Sequence, residues 1–435
     1  MTSFVANWEM VIPDRSSSFS PFFDGLAIAG FVVAIALVIY LIFALRKHHQ
    51  PKINNDPIIN YKTIDVVHYG AAGDGKTDDS QAFLKAWMAV CEAATPSAML
   101  VPSLRTFLLN PVNFQGPCMS STVGVKILGK IVAPSDLDAW KDFDAENWLL
   151  FSNVSGLVIQ GNGEIDGQGA AWWDRKSDGR PTALAFHDCD SLQLSGLTHI
   201  NSPKSHMHIV RCNHASISKL NILAPEDSPN TDGIDVAYST DVKIQNCNIG
   251  TGDDCIAIGE ASSNIHIANI LCGPGHGIRA TGFSIGSLGK NGVTSIVEEV
   301  RVQNCHLKGT MYGARIKTWQ GGSGYARKIS FQGITLDQVR NPILIDQYYC
   351  NGKKDCKNQT SAVQVSDVLY QGLRGTSATE VAVELSCSEN IGCSNLVLED
   401  IDIRSAYSDK LTQSSCYNAH GTSTNTVPAI DCLKP

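Results

Sequence analysis

Val242-Lys-Ile-Gln-Asn-Cys-Asn-Ile249 is the stretch whose reading decides the fold. Apolar Val242 and Ile244 alternate with polar neighbours, the period-2 pattern of a strand. The same short alternation recurs at Leu157-Ile159, Leu192-Leu194, Ile217, Leu220 and Ile222, Ile265-Ile267, Val300-Val302, Ile329-Phe331 and Leu396-Leu398. Leu192, Ile217 and Val242 follow one another at equal intervals, and Ile265 comes after a nearly equal one; later intervals lengthen, as if loops were inserted. Asn246-Cys247-Asn-Ile249 and Asn304-Cys305-His-Leu307 read as the same position of two coils. A repeat of this length, built of strand-sized pieces with no intervening helices, predicts an all-β parallel β-helix. A β-sandwich is the competing fold. It requires hairpin turns such as Asn-Gly between successive strands, and Asn162-Gly163 and Asn291-Gly292 are isolated cases.

Upstream, Gly70-Ala-Ala-Gly-Asp-Gly75 and Thr77-Asp-Asp-Ser80 open a predicted helix from about Ser80 to Cys91, with Ala82, Phe83, Ala86, Trp87 and Val90 on one face. The glycines lack dinucleotide spacing, and no Gly-Lys-Ser/Thr follows. A helix covering the open end of a solenoid is the better account. Residues 1–24 read as a polar tail. Gly25 to Leu45 carries no charge. Its length meets the roughly 20 apolar residues that a membrane-spanning or signal-anchor helix needs. Residues 46–61 read as a linker and 62–435 as the folded domain. Arg46 and Lys47 after the apolar segment would leave the bulk of the chain in the cytoplasm. The cysteines point the other way.

Fourteen cysteines include the close pairs Cys255/Cys272, Cys350/Cys356, Cys387/Cys393 and Cys416/Cys432. No Cys-x-x-Cys zinc spacing occurs. Close pairs in a long chain fit disulfides formed in the secretory pathway, as do the sequons Asn153-Val-Ser155 and Asn358-Gln-Thr360. Cys189, Cys212, Cys247 and Cys305 fall within the coils and read as an interior stack of small apolar side chains. The net charge of −8 argues against nucleic acid or any other polyanion held by the whole surface. An acidic substrate would need cations local to its site.

Four blocks carry the chemistry: Asn230-Thr-Asp232-Gly, Gly252-Asp253-Asp254, Gly275-His276-Gly277 and Arg315-Ile-Lys317. Asp232, Asp253 and His276 follow one another at close to one coil's spacing. Coils of a parallel β-helix stack about 4.7–4.9 Å apart, so these residues are expected in one row. Asp253 and Asp254 cannot both face outward from a regular strand. The pair is therefore expected where the strand bends, beside Gly252. Clustered carboxylates hold at least one proton near working pH, as a general acid requires. Two carboxyls flanking a sugar bond are the usual glycosidase machinery. Arg315 and Lys317, two apart, point to the same face and suit a carboxylated sugar. Calcium binding by the acidic group is disfavoured by those cations.

These blocks resemble the polygalacturonases, the pectin-hydrolysing glycosidases, and further motifs extend the likeness over about residues 62–435. They include Gly163-Glu-Ile-Asp-Gly-Gln-Gly169 with Trp172-Trp173, Ser284-Ile-Gly-Ser-Leu-Gly289 and Ile345-Asp-Gln-Tyr-Tyr-Cys350, which look like plant-type members. The resemblance implies a right-handed β-helix and inverting hydrolysis of 1,4-α-D-galacturonan. It implies Asp253 as general acid, Asp232 and Asp254 as the groups that hold and deprotonate water, and His276 as tuner of Asp253 or orienter of sugar. Arg315 and Lys317 would bind a galacturonate carboxylate, Asn230 would support the site and Tyr349 would contact a sugar. No metal or organic cofactor is implied. The expected partner is the cell-wall polysaccharide, acted on by a monomer. Competing readings are a rhamnogalacturonan hydrolase, a calcium-dependent pectate lyase and a membrane-anchored pectin-binding protein without turnover.

Overall fold

Short β-branched runs stack coil upon coil, each burying its apolar side against its own copy one turn away. The computed structural model describes residues 61–143, 146–174, 179–273, 281–351, 356–357 and 359–435. His276, the sequon at Asn358 and the predicted tail, apolar segment and linker up to residue 60 lie outside these residues. Among the described residues no helix is long and apolar enough to cross a membrane.

The strands form two sheets, one of 24 strands and one of 11, with parallel pairing throughout the ladders. A typical coil contributes three strands, such as Ile234–Ala237, Thr240–Gln245 and Asn248–Gly250. The next coil repeats them as Asp254–Ile258, Ser262–Ala268 and Leu271–Cys272. The first strand of each coil belongs to the 11-stranded sheet, and the other two build two columns of the larger one. The architecture is the expected right-handed parallel β-helix.

One interior column runs Ile64, Met99, Val125, Ile159, Leu194, Ile217, Ile244, Ile267, Val302, Phe331, Tyr370 and Leu398, each paired with the next. This corrects the expected spacing. Ile217 pairs with Leu194, not Leu192, and with Ile244, not Val242, so the two steps are unequal. A two-residue slip leaves every side chain on the same face, so alternation alone cannot detect it. At the corner that follows, Asn246, Asn269 and Asn304 take left-handed φ near +55°. Asn269 Nδ2 donates to Asn246 Oδ1 at 3.1 Å, so these side chains bond along the stack. Asparagine tolerates that backbone region better than most residues.

The helix Ser80–Cys91 closes the N-terminal end and buries the five predicted apolar residues. Phe83 meets Phe107 edge-on at 5.4 Å, and Trp87 meets Phe114 and Phe151 at 5.6 and 5.5 Å, sealing the first coils. Asp79 does not cap the helix through its side chain. Its carboxylate instead accepts the Ala72 and Gly73 N–H groups, which pins the glycine-rich turn.

All four close cysteine pairs are disulfides. A fifth, Cys91–Cys118, spans 27 residues and ties the helix end to the coils. Cys189, Cys212, Cys247 and Cys305 are free thiols buried in the core.

Candidate active site

The chemistry gathers on the strands of the 11-stranded sheet. Asp254 opens the strand Asp254–Ile258, and Asp253 lies in the bend before it, so the pair straddles an irregular point as expected. Gly252 permits the bend by close approach: a Cβ there would lie 2.0 Å from the Ser228 carbonyl oxygen. Its N–H donates to the buried Thr231 hydroxyl at 2.9 Å, which joins the first block to the second. The disulfide Cys255–Cys272 anchors the strand immediately after the pair.

The expected row needs one change. The ladder pairs Ile234 with Ile256, and Gly233 N–H donates to the Asp254 carbonyl at 2.8 Å. Register therefore sets Asp232 level with Asp254, and Asp253 stands one residue off. Oxygens of Asp232, Asp253 and Asp254 still lie within 4.8 Å of one another, so the three carboxylates form one cluster.

Asp254 is 1% exposed and its charge is fully engaged. Lys317 Nζ donates to Oδ2 at 2.9 Å, and Arg315 Nη2 to Oδ1 at 3.0 Å. The Ser284 hydroxyl adds a bond to Oδ1 at 2.7 Å and accepts one from Arg315 Nε at 3.0 Å. Ser284 and Arg315 are paired neighbours on adjacent strands, which aligns both toward Asp254. The two cations are themselves nearly buried, at 6% and 9% exposure. The sequence reading has them gripping a sugar carboxylate; the structure gives their first partner as Asp254. Tyr312 stacks under the Arg315 guanidinium at 4.0 Å, and Tyr349 lies 5.5 Å from Lys317 Nζ. Tyr349 also meets Trp319 edge-on and donates its hydroxyl to Asn351.

Charge divides unequally across the cluster. Burial would raise the Asp254 carboxyl, but Lys317 and Arg315 overcome it and hold the group below its usual range. Burial, then the Asp254 charge, pushes Asp253 up to about 6. Burial, then Asp235, Asp253 and Asp254, lifts Asp232 well above the ordinary carboxylate range. These groups titrate as one system, so the cluster holds fewer than three charges through the mildly acidic range. Two Asp254 oxygens already taken by cations leave little room for a metal ion.

Asn230 has a left-handed backbone, φ 56°, and its amide reaches Asp253 Oδ2 at 3.4 Å. Its own Oδ1 accepts from buried Arg180 at 2.7 Å. Arg180 is absent from the sequence reading; a single arginine so far upstream leaves no local signal. Asp235 is also new, and Ser284, quoted above only as the start of a plant-type motif, gains a place in the site. Asp235 alternates with the buried Ile234 and Val236, which places it outward; its partner, His208, has no such local signal.

Residues 91–427 match the glycosyl hydrolases of family 28. A probable polygalacturonase of Arabidopsis thaliana is 55% identical over 375 residues, 85% of this chain and 80% of its own. Among solved structures, an endo-xylogalacturonan hydrolase of Aspergillus tubingensis superposes with TM-score 0.71 at 25% identity, covering 84% of this chain and all of that one. A polygalacturonase of Erwinia carotovora gives 0.65 at 19% identity, over 86% and 99% of the two chains, and shares the fold. On the length and identity of these matches, the chain belongs to glycosyl hydrolase family 28.

Proposed function

We propose that this chain hydrolyses 1,4-α-D-galacturonosyl linkages in pectin and polygalacturonan. The observation that carries the reading is the divided charge of the carboxylate cluster. A glycosidase needs one carboxyl protonated to protonate the leaving oxygen and another ionised to take a proton from water. Asp253, raised to about 6, is protonated in a mildly acidic wall and serves as the general acid. Asp254 stays ionised, but with both oxygens tied it is a weak base and serves to orient the attacking water. Asp232, whose proton affinity is raised, is the stronger base once ionised. His276 is assigned to tuning Asp253 or orienting the sugar on the resemblance alone.

Arg315 and Lys317 keep Asp254 charged and bring positive potential to the site. Arg315 Nη1 and the remaining Lys317 protons are the groups available to a galacturonate carboxylate, with Tyr349 beside them as a sugar contact. Asn230 steadies Asp253. Inversion rests on the resemblance: closest oxygen approach within 4.8 Å is an edge-to-edge measure, not the span between carboxyl groups that separates the two courses. Five disulfides support an oxidising compartment and hence secretion to the wall. An anchor through residues 25–45, preceded by the tail and followed by the linker to a domain at 62–435, remains part of this proposal, as does action as a monomer.

Incubation with purified polygalacturonate tests it. New reducing ends, without ultraviolet-absorbing unsaturated products, are expected. Proton NMR should show the β anomer first at the new end. An unsaturated product or an initial α anomer would overturn the hydrolytic or the inverting part respectively.

A further inference from the structure

Next to the carboxylate cluster stands a pair that the proposed mechanism leaves unused. His208 Nε2 lies 2.9 Å from Asp235 Oδ2, and both side chains are 26% exposed on the outer face of the same sheet. Ladder pairing sets the two residues side by side on adjacent strands. Asp235 follows Asp232 by three residues in the strand that leaves the first block. The Ser205 hydroxyl donates to the same Oδ2 at 2.7 Å, so one Asp235 oxygen is doubly bonded. The other, Oδ1, is buried with no hydrogen-bond partner among the described residues. An anion near Asp232 makes it costly for Asp232 to ionise. After burial, the Asp235 charge helps to lift the Asp232 carboxyl above its ordinary range.

We propose that His208 is a positioning residue for catalysis: through Asp235 it governs whether Asp232 can give up its proton. Protonated, the imidazole neutralises Asp235 and frees Asp232 to ionise as base. Neutral, it leaves the Asp235 charge standing against Asp232. The surroundings suit both states. Thr182 Oγ1 lies 3.4 Å from His208 Nδ1, and a hydroxyl can donate to a bare ring nitrogen or accept from a protonated one. The other groups facing the pair are few. His187 senses His208 from the preceding coil, together with Arg211, Asp188 and Glu146. His206, buried and held neutral, senses Asp235 from the bend just before the strand that carries His208. The following strand offers only Ala257 opposite Asp235. No other described cation is bonded to Asp235.

The inference rests on the reading of Asp232 as base, and the test separates the two. Reducing-end release from polygalacturonate is followed across pH for the wild type, His208→Gln, His208→Arg, Asp235→Asn and Asp232→Asn. The acid limb reports ionisation of the essential base. His208→Gln keeps a donor to Asp235 but cannot carry charge. Its acid limb should move up by about one pH unit, a roughly ten-fold loss of kcat/KM on that limb, while the basic limb stays in place. Asp235→Asn removes the opposing anion, so its limb should move down. His208→Arg should hold the wild-type limb. Opposite shifts from the two partners of one contact are what a merely structural role cannot produce. Superimposable profiles, or shifts in the same direction, overturn the proposal. If His208→Gln fails to fold, His208→Asn takes its place and is judged by the same upward shift set against the downward shift of Asp235→Asn. An active Asp232→Asn enzyme overturns the base assignment itself, whatever the other variants do.

Discussion

Two groups of buried titratable side chains lie close together in this molecule and solve the same problem in opposite ways. Around Asp254, burial is accompanied by partners: Lys317, Arg315 and Ser284 supply charge-assisted bonds, and the carboxylate stays ionised. Around His206 and His199, burial outweighs what little countercharge is near: Asp235 favours the charged His206 ring but does not offset its desolvation. The rings meet edge-on at 5.2 Å, and burial pushes both well below the ordinary imidazole range, His206 to about 4. His206 is bonded only to neutral backbone, with Nδ1 3.1 Å from the Asp232 carbonyl. Neither His199 nitrogen has a partner among the described residues. Buried charge survives where partners fill its valences, and is discharged where they do not.

The sharpest way to break the charged half is to remove its proton donor. Asp253→Asn should lower kcat by about 10²–10⁴-fold, the usual worth of a general acid, with folding intact by circular dichroism. An unchanged rate of reducing-end release would end the assignment. In the wild type, activity needs Asp253 protonated, so the basic limb of kcat/KM should fall as pH rises through about 6.

The next largest effect should come from uncoupling the ion pair. Lys317→Met leaves a buried carboxylate with one cation fewer and should cost about 3–5 kcal/mol in urea unfolding. Adding Asp254→Asn removes the stranded charge. The double variant should then be less destabilised than the sum of the two singles, which a double-mutant cycle measures. Strict additivity would mean that the contact in the structure does not couple the two.

The histidine half makes the opposite demand on pH. A group whose folded pKa lies below its unfolded value stabilises the fold fully above the unfolded value. That contribution is lost as pH falls toward the folded one. For His206 the window runs from 6.5 down to about 4. Roughly 3 kcal/mol should disappear across it. His199 stacks between Ile165 and Ile222. His199→Ile should therefore be tolerated and should flatten the fall in urea midpoint. A slope unchanged by the substitution would place the acid sensitivity elsewhere.

Legibility in the sequence follows this division. The solenoid, its capping helix and four disulfides were readable because each is written locally: alternation of two, a helical face, cysteines a few residues apart. Cys91–Cys118 escaped because its partners are distant in sequence. The two-residue slip at Leu192 and Val242 escaped because it preserves facing. In the site, coil spacing brought Asp232 to Asp253, and the need for a bend beside Gly252 followed from the alternation of facing along a strand. The pairing of Asp254 with Lys317 did not follow, because it reaches 63 residues along the chain and crosses one intervening strand. Nor did the His208–Asp235 contact, since nothing local marks which outward residues face each other. His276 stands outside the described residues, so its place in the cluster rests on the sequence.

The free thiols show a third answer to burial and the smallest expected effect. A thiol needs no countercharge when neutral, so it can sit in a core where a carboxylate cannot. Burial pushes Cys247 up to about 11 and Cys305 up to about 12. Both raised values lie above the range in which an unfolded thiol titrates. The neutral form is therefore shared by both states below about pH 8, and these residues add no pH dependence to stability there. Cys247→Ala should cost only about 1 kcal/mol, the worth of a small lost contact, by the same amount at pH 5 and at neutrality. The native protein should also resist thiol reagents near pH 8, because the nucleophile is the thiolate and little of it forms. If Cys247 reacts promptly in the folded state, or if Cys247→Ala shows the acid-dependent loss assigned to His206, then burial alone does not govern which groups this fold discharges.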